Sequence, residues 1–325
     1  MNRGRPPSYE VRVPASTANL GAGFDCFGLA LELYLAVRAT VLTASENGAR
    51  VRIRGPRGRP PVARVPEEDL IFRAMQRTAQ GEGFSLPPVC LDVHNAIPVA
   101  RGLGSSAAAI VAGIGLAFAI AGRKLSMDVA LRYAAELEGH ADNVAAALLG
   151  GLVVTAVRDD GSVVAVRRLW PEQIRVVAVT PDLLLETRRA RAVLPSSVNR
   201  EAAVHNLQRA ALLIAVLGEK RFDLLWDALQ DNLHQKCREE LIPGLTEILR
   251  MPRQPDLLGI ALSGSGPSVI ALATGRFKEI GKSIADIFGR HHLRTSVKCL
   301  SVSESGLSVR ERSYPGQRQA TTAAP

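Results

Sequence analysis

The run PVARGLGSSAAA at residues 98–109 constrains this chain more than any other dozen residues. A proline-led approach meets Gly102 and Gly104, then the hydroxyls of Ser105 and Ser106, then small apolar residues as far as Ala121. That order describes a tight loop that empties into a helix. Glycines let backbone N–H groups come close to a ligand, and a helix start presents unpaired donors at the positive end of its dipole. A phosphate suits such a place. The spacing sets it apart from the commoner phosphate loops: no lysine follows the glycines as a Walker loop requires, and GxGxxG lacks its third glycine. A Gly/Ser turn with Ser105 or Ser106 as the N-cap of a buried helix explains the same letters, so the loop alone does not choose.

The 325 residues, 47% hydrophobic and 22% charged, allow two globular domains. Residues 107–121 are apolar but short of the ~20 that a bilayer span needs, and 143–157 is broken by Gly150 and Gly151. Arg3 and Arg5 have no apolar stretch behind them, so the sequence reads as cytoplasmic, with no membrane partner. Cys26, Cys90, Cys237 and Cys299 are scattered without a CxxC, and no HExxH occurs, so the thiols read as reduced and structural. A net charge of +9 raises a nucleic-acid partner. The basic residues are spread out, however, apart from 50–64 and 188–191, and aromatics make up only 4%. No base-stacking surface is visible, and the charge reads as a preference for anionic small molecules.

Along the chain, residues 1–9 and 313–325 read as disordered tails. A strand over 10–13 ends at Pro14, a loop of small residues fills 15–28, and strands follow over 29–43 and 50–54. Residues 55–66 read as an Arg/Pro-rich surface excursion, 69–81 as a helix, and 89–93 as a strand leading into the glycine loop. Helices are predicted over 106–121, 128–138 (N-cap Ser126) and 143–149, then a hairpin of 152–157 and 163–169 around Asp159, Asp160 and Gly161. A boundary falls at 170–174. Beyond it come a strand over 175–180, a loop with Thr187 and Arg191, and helices over 197–217, 221–233 and 244–250. Strands over 259–262 and 268–273, a helix over 277–288 and a strand over 294–301 complete the pattern. The order argues for an α+β fold with helices on one face of an antiparallel sheet.

Other clusters stand beside the loop. Residues 14–28 (PASTANLGAGFDCFG) place Asn19 and Asp25 among small residues, where Asx turns would also put them. Residues 136–143 (ELEGHADN) bring Glu136, Glu138, His140, Asp142 and Asn143 together. There Asp142 caps the next helix, or Glu138 holds a magnesium ion with Ser105 or Ser106 completing the site. Thr187 to Arg191, Arg238 to Gly244, and SGSGPS at 263–268 are the remaining candidates.

In this order the clusters resemble the three motifs of the GHMP kinase family, named for its galacto-, homoserine, mevalonate and phosphomevalonate kinases. Residues 14–28 resemble its N-terminal motif, 98–108 its ATP loop, and 262–268 its C-terminal glycine motif, and the resemblance spans most of 10–310. The resemblance implies a two-domain α+β architecture: a ribosomal-protein-S5-like ATP-binding domain over 10–170 and a ferredoxin-like domain over 171–312. It implies ATP and Mg2+, with ATP held by Pro98, Val99, Ala100, Arg101, Gly102, Leu103, Gly104, Ser105, Ser106, Ala107 and Ala108, and the metal by Ser106 and Glu138.

Within the family, the Asn-Leu-Gly-x-Gly-Phe-Asp run, His140 to Asn143, and the Thr-x-x-Ala-Arg-x-x-Leu-Pro run from Thr187 are similar to the homoserine-phosphorylating branch. That likeness implies L-homoserine as substrate, bound by Asn19, Asp25, His140, Asn143, Thr187, Arg191, Arg238 and Gly264, with Asn143, Asp142 and Arg191 as catalytic residues. It also implies a homodimer and no nucleic-acid partner. A mevalonate or isoprenoid kinase of the same family is the alternative. Only Gly139 separates Glu138 from His140, where some relatives carry an insertion, so Glu136 competes with Glu138 as metal ligand. Glu138 keeps the Glu-Gly dipeptide and is preferred.

Overall fold

The computed structural model of the chain describes residues 6–43, 48–53 and 62–312. Most of the excursion expected at 55–66, and the tails 1–5 and 313–325, lie outside the described residues. Strands β1 (Ser8–Ala18), β2 (Phe27–Val41), β3 (Arg50–Ile53) and β4 (Val62–Arg64) and helix α1 (Leu70–Gly81) lead to β5 (Val89–Asn95). Helices α2 (Ser105–Ile120), α3 (Met127–Glu138) and α4 (Asp142–Leu149) precede the hairpin β6 (Leu152–Val157) and β7 (Val163–Arg168). The second half carries β8 (Arg175–Pro181), α5 (Thr187–Ala192), α6 (Arg200–Gly218), α7 (Leu225–Ala228) and α8 (Leu245–Leu249). It closes with β9 (Leu257–Leu262), β10 (Val269–Ala273), α9 (Phe277–Arg290), β11 (Thr295–Leu300) and β12 (Ser308–Glu311).

The first sheet runs β12-β1-β2-β5-β3-β4, with the β6–β7 hairpin joined to β2. Helix α2 lies against it, and Ile110, Ile114 and Leu116 are fully buried, each stabilising the fold by roughly 1.5–3 kcal/mol. The first strand does not end at Pro14. It begins at Ser8, inside the expected tail, and runs to Ala18 with a register shift between Pro14 and Ala15. The ladder to β12 covers only Tyr9 to Arg12, so Pro14 lies beyond the stretch paired on both sides, where a missing N–H is tolerated. Past that point Ser16 N donates to Leu103 O at 3.2 Å. The strand's far end thus abuts the glycine loop.

The second sheet, β11-β8-β10-β9, is antiparallel throughout. Val177 and Val179 share a core with Ile280, Ile284 and Phe288 of α9. Val176 and Ala178 share the other core with Leu213 of α6 and Leu225 of α7. Helices therefore cover both faces, where one covered face was expected, because β8 is apolar at successive positions rather than alternate ones.

Two further differences have local causes. Residues 187–192 form a helix, not a loop. The helix expected over 221–233 breaks after α7, because the Asp231 carboxylate accepts the N–H groups of Leu233, His234 and Gln235 at 3.1, 3.0 and 2.7 Å. A side chain that binds backbone this way competes with helix propagation. Residues 302–312, expected with the second half, return to the first sheet, where Leu31 bridges Val302 and β12 pairs with β1.

Candidate active site

A cavity of ≈ 550 Å³ opens between the two halves, lined by loop residues Val99 to Ser106, by Leu35, Val93 and Asn95 of the first sheet, and by helix and loop residues of the second half such as Thr187, Arg191 and Arg238. Neither serine of the loop caps α2. The cap is Gly104, left-handed at φ 68° and without a side-chain bond. The hydroxyls serve elsewhere: Ser105 Oγ accepts from Asn95 Nδ2 at 3.0 Å, and Ser106 Oγ donates to Glu138 Oε2 at 2.6 Å. A Cβ on Gly102 would fall 2.3 Å from Ser263 O, and one on Gly104 would fall 2.0 Å from Ser16 Oγ. Only glycine permits these approaches.

The carbonyls of the loop are turned onto protein donors. Ala100 O accepts from Leu185 N (3.3 Å), Arg101 O from Ser268 N (3.2 Å) and Leu103 O from Ser16 N, and Gly102 O accepts from Ser263 Oγ at 2.6 Å. With its acceptors committed outward, the loop offers the cavity its donors, joined by the unpaired first N–H groups of α2. Arg101 itself reaches across to Asp182 Oδ1 at 2.7 Å.

The acidic edge sits where α3 meets α4. Burial pushes the Glu138 carboxyl above its ordinary range, against the opposing hydrogen bond from Ser106. His140 Nδ1 lies 2.9 Å from Asp142 Oδ1. Burial lowers the affinity of this imidazole for a proton, but Asp142 and Glu138 outweigh it and the net shift is upward. Asp142 is the first residue of α4 rather than its cap, which is Ala141, and its Oδ1 accepts Asn143 N at 2.7 Å. Asn143 Oδ1 accepts from Ser16 Oγ at 2.8 Å. Glu136 is exposed, bonded to Arg77 at 2.5 Å, and does not line the cavity.

The opposite wall is cationic. Thr187 and Arg191 fall one turn apart on α5, and Thr187 Oγ1 lies 3.3 Å from Ser265 Oγ. Arg191 grips Asp25 with both arms, NH1 to Oδ2 at 3.0 Å and NH2 to Oδ1 at 2.5 Å. Asn19 donates to Gly264 O at 2.9 Å and accepts from Asp25 N at 3.0 Å. Both residues hold positive φ, 73° and 55°, which Asn and Asp tolerate better than other side chains. Arg238 is buried, donating from Nε to Ala190 O at 3.1 Å and from NH1 to Gly264 O at 3.2 Å. Burial and the Arg191 charge push its pKa down to about 10, still cationic at neutral pH. The Phe24 ring lies under both guanidinium groups, 5.6 Å from Arg191 and 5.8 Å from Arg238.

Three of the expected loop residues stand back from the cavity. Ala107 and Ala108 are fully buried in the core, and Pro98 lies behind Val99. Sequence reasoning gave no individual role to Ser16, Phe24, Asn95, Ser263 or Ser265. Ser16 and Phe24 sit inside the 14–28 motif, and Ser263 and Ser265 inside 262–268. Asn95, two residues before Ile97, carried only the signal of an amide next to the loop. Among the described residues no cluster of three or more His, Cys, Asp or Glu could hold a metal ion. None of their helices is long and apolar enough to cross a membrane.

The models of the GHMP kinases N-terminal domain and GHMP kinases C-terminal domain match residues 69–151 and 211–287. The homoserine kinase of Desulfitobacterium hafniense is 40% identical over 302 residues, covering 92% of this chain and 99% of that protein. The chain belongs to the GHMP kinase family. The homoserine kinase of Moorella thermoacetica, 41% identical, likewise covers 92% of this chain and 99% of its own length. The crystal structure of homoserine kinase from Cytophaga hutchinsonii superposes with a TM-score of 0.81 at 28% identity, over 95% of this chain and 99% of that one. Membership of this kinase family makes ATP the phosphoryl donor.

Proposed function

We propose that this chain transfers the γ-phosphoryl group of ATP to the side-chain hydroxyl of L-homoserine, giving O-phospho-L-homoserine for threonine biosynthesis in the cytoplasm. One observation carries the reading: a phosphate loop faces Arg191, Arg238 and Asp25 across a single cavity. An amino acid brings a carboxylate for the guanidinium forks and an ammonium for Asp25, with Asn19 and Thr187 bordering the same pocket. Mevalonate offers no ammonium to Asp25, and galactose offers neither charge. ADP release with ATP, magnesium and each of homoserine, mevalonate and galactose tests the reading. Turnover of mevalonate in preference to homoserine would sink it.

Phosphoryl transfer asks the protein for position and charge stabilisation rather than covalent help. The loop N–H groups and the start of α2 hold the phosphates. Asn143, fixed by Ser16, orients the acceptor hydroxyl toward them, and His140 braces Asp142 beside it. Asp142 is engaged by His140 and by the Asn143 N–H, which supports an electrostatic and structural role over that of a base. Ser106 and Glu138, a hydroxyl and a carboxylate 2.6 Å apart beside the loop, would hold a magnesium ion, which needs only one or two protein ligands when it binds with phosphates. When bound, that ion neutralises charge on the transferring phosphates.

Residues 10–170 would then form the ATP-binding domain, which also lends Asn19, Asp25 and Asn143 to the acceptor, and 171–312 the C-terminal domain that lends Thr187, Arg191 and Arg238. We read the assembly as a homodimer. Val204 and Leu207, exposed on successive turns of α6, are surface that such a dimer would cover, and sedimentation equilibrium tests it.

A further inference from the structure

One buried imidazole joins the loop of the first half to the cationic wall of the second. The His234 side chain is fully buried, in a turn held by the Asp231 carboxylate, which takes the N–H groups of Leu233, His234 and Gln235. Its ring stacks on Phe24, centroids 5.1 Å apart and planes at 26°. Nε2 lies 2.9 Å from Gly21 O, and Nδ1 lies 2.8 Å from Arg238 NH1.

Donor and acceptor chemistry allows one arrangement. A carbonyl oxygen only accepts, so Nε2 carries the proton. A guanidinium nitrogen only donates, so Nδ1 is bare. His234 is therefore the neutral Nε2–H tautomer, and its lone pair holds one arm of Arg238. Ala190 O accepts from Nε, and Gly264 O accepts from the same NH1 that His234 holds. NH2 has no protein partner among the described residues, and Arg238 lines the cavity.

We propose that His234 is a positioning residue for recognition of the acceptor's carboxylate: it fixes the Arg238 guanidinium so that its unshared N–H groups face that carboxylate. The inference rests on the reading of the acceptor as an amino acid. A ring that merely filled space would need neither the bare nitrogen toward Arg238 nor the single tautomer. Burying an arginine is costly unless each arm is matched, and an acceptor nitrogen matches one arm without neutralising the charge that the ligand must meet.

The test compares His234→Asn with His234→Leu. Both lose the ring, its stacking and the Gly21 bond, but only Asn keeps an acceptor near the Nδ1 position. The quantity read is the KM for homoserine against the inhibition constant of 3-aminopropan-1-ol, the same molecule without its carboxylate. His234→Leu is expected to shrink that preference about tenfold or more, with the KM for ATP unchanged, and His234→Asn to retain most of it. An unchanged preference in His234→Leu, or an equal loss in both variants, overturns the proposal. In the wild type, side-chain 15N NMR at neutral pH is expected to report the neutral Nε2–H tautomer; an Nδ1–H tautomer or an imidazolium overturns it independently of any variant's folding. A wild type that releases no ADP with homoserine overturns the acceptor reading instead, and the two failures are distinct.

Discussion

Arg191 and Asp25 are bound to each other, fork to carboxylate, across 166 residues of sequence. The groups that suit the two opposite charges of an amino acid thus satisfy one another in the structure. A zwitterion can enter by exchange, its carboxylate taking Arg191 and its ammonium taking Asp25, so that no charge is left alone. Both side chains are over a third exposed, and such pairs contribute only about 0–1 kcal/mol, so parting them costs little.

That exchange predicts a double requirement. 4-Hydroxybutanoate lacks the ammonium and 3-aminopropan-1-ol lacks the carboxylate, so each should compete with homoserine about tenfold or more weakly than homoserine binds. Equal binding by either would remove its partner residue from the site. Arg191→Lys should raise the KM for homoserine by a comparable factor, because a point charge does not replace a planar fork.

The two glutamates of α3 should separate cleanly. Glu138→Gln is expected to lower kcat by about tenfold to a hundredfold and to shift the magnesium optimum. Glu136→Gln should leave both unchanged, since Glu136 is spent on Arg77 at the surface. A magnesium response altered by the second substitution and not the first would reverse the assignment.

Gly104→Ala should damage stability and turnover together. The new Cβ meets Ser16 Oγ at 2.0 Å in a backbone already at φ 68°, a strain of about 1–3 kcal/mol. Calorimetry would read it as a Tm lower by several degrees. An unchanged Tm would mean that the loop relaxes freely.

Acid should weaken the fold through His234. Burial pushes this imidazole below its ordinary 6.5, and the Arg238 charge adds to that against the opposing pull of Asp231. The unfolded chain therefore takes up a proton before the folded one does. The stability tied to the neutral ring is present above about pH 6.5 and is lost as pH falls toward the depressed value. His234→Asn should flatten Tm against pH between about pH 7 and about pH 5, and an unaltered slope would assign the acid sensitivity elsewhere.

The loop, the helix behind it and the acidic corner were legible because each is a local pattern: Gly102 and Gly104 before a run of alanines, and Glu138 two residues from His140. The helix over 69–81 was legible from the spacing of Leu70, Ala74, Met75 and Thr78, but Asp69 caps it rather than opening it, its carboxylate accepting from Ile71 N and Phe72 N. What stayed hidden depends on pairs distant in sequence. Ser16 meets Asn143 across 127 residues, and His234 meets Gly21 across 213. A serine in a strand and a histidine in a turn carry no local sign of such partners. The break at Asp231 was missed because apolar periodicity over 221–233 is blind to a side chain that captures backbone N–H groups. The continuation of β1 through Pro14 was missed because which stretch of an edge is paired is a property of the sheet and not of the residue.

The strand β12 sets an order on how this molecule can come into being. Its partner β1 belongs to the half made first, yet the ladder from Tyr9 to Arg12 waits for residues 308–311. During synthesis the first half has its core helices long before that edge is covered, and an uncovered edge is where chains pair wrongly. A fragment cut near residue 170 would inherit the glycine loop without the seam that closes its sheet. The two halves meet at the cavity, and they are also sewn together where residues 302–311 return to the first sheet, a seam made only after the second half has been synthesised.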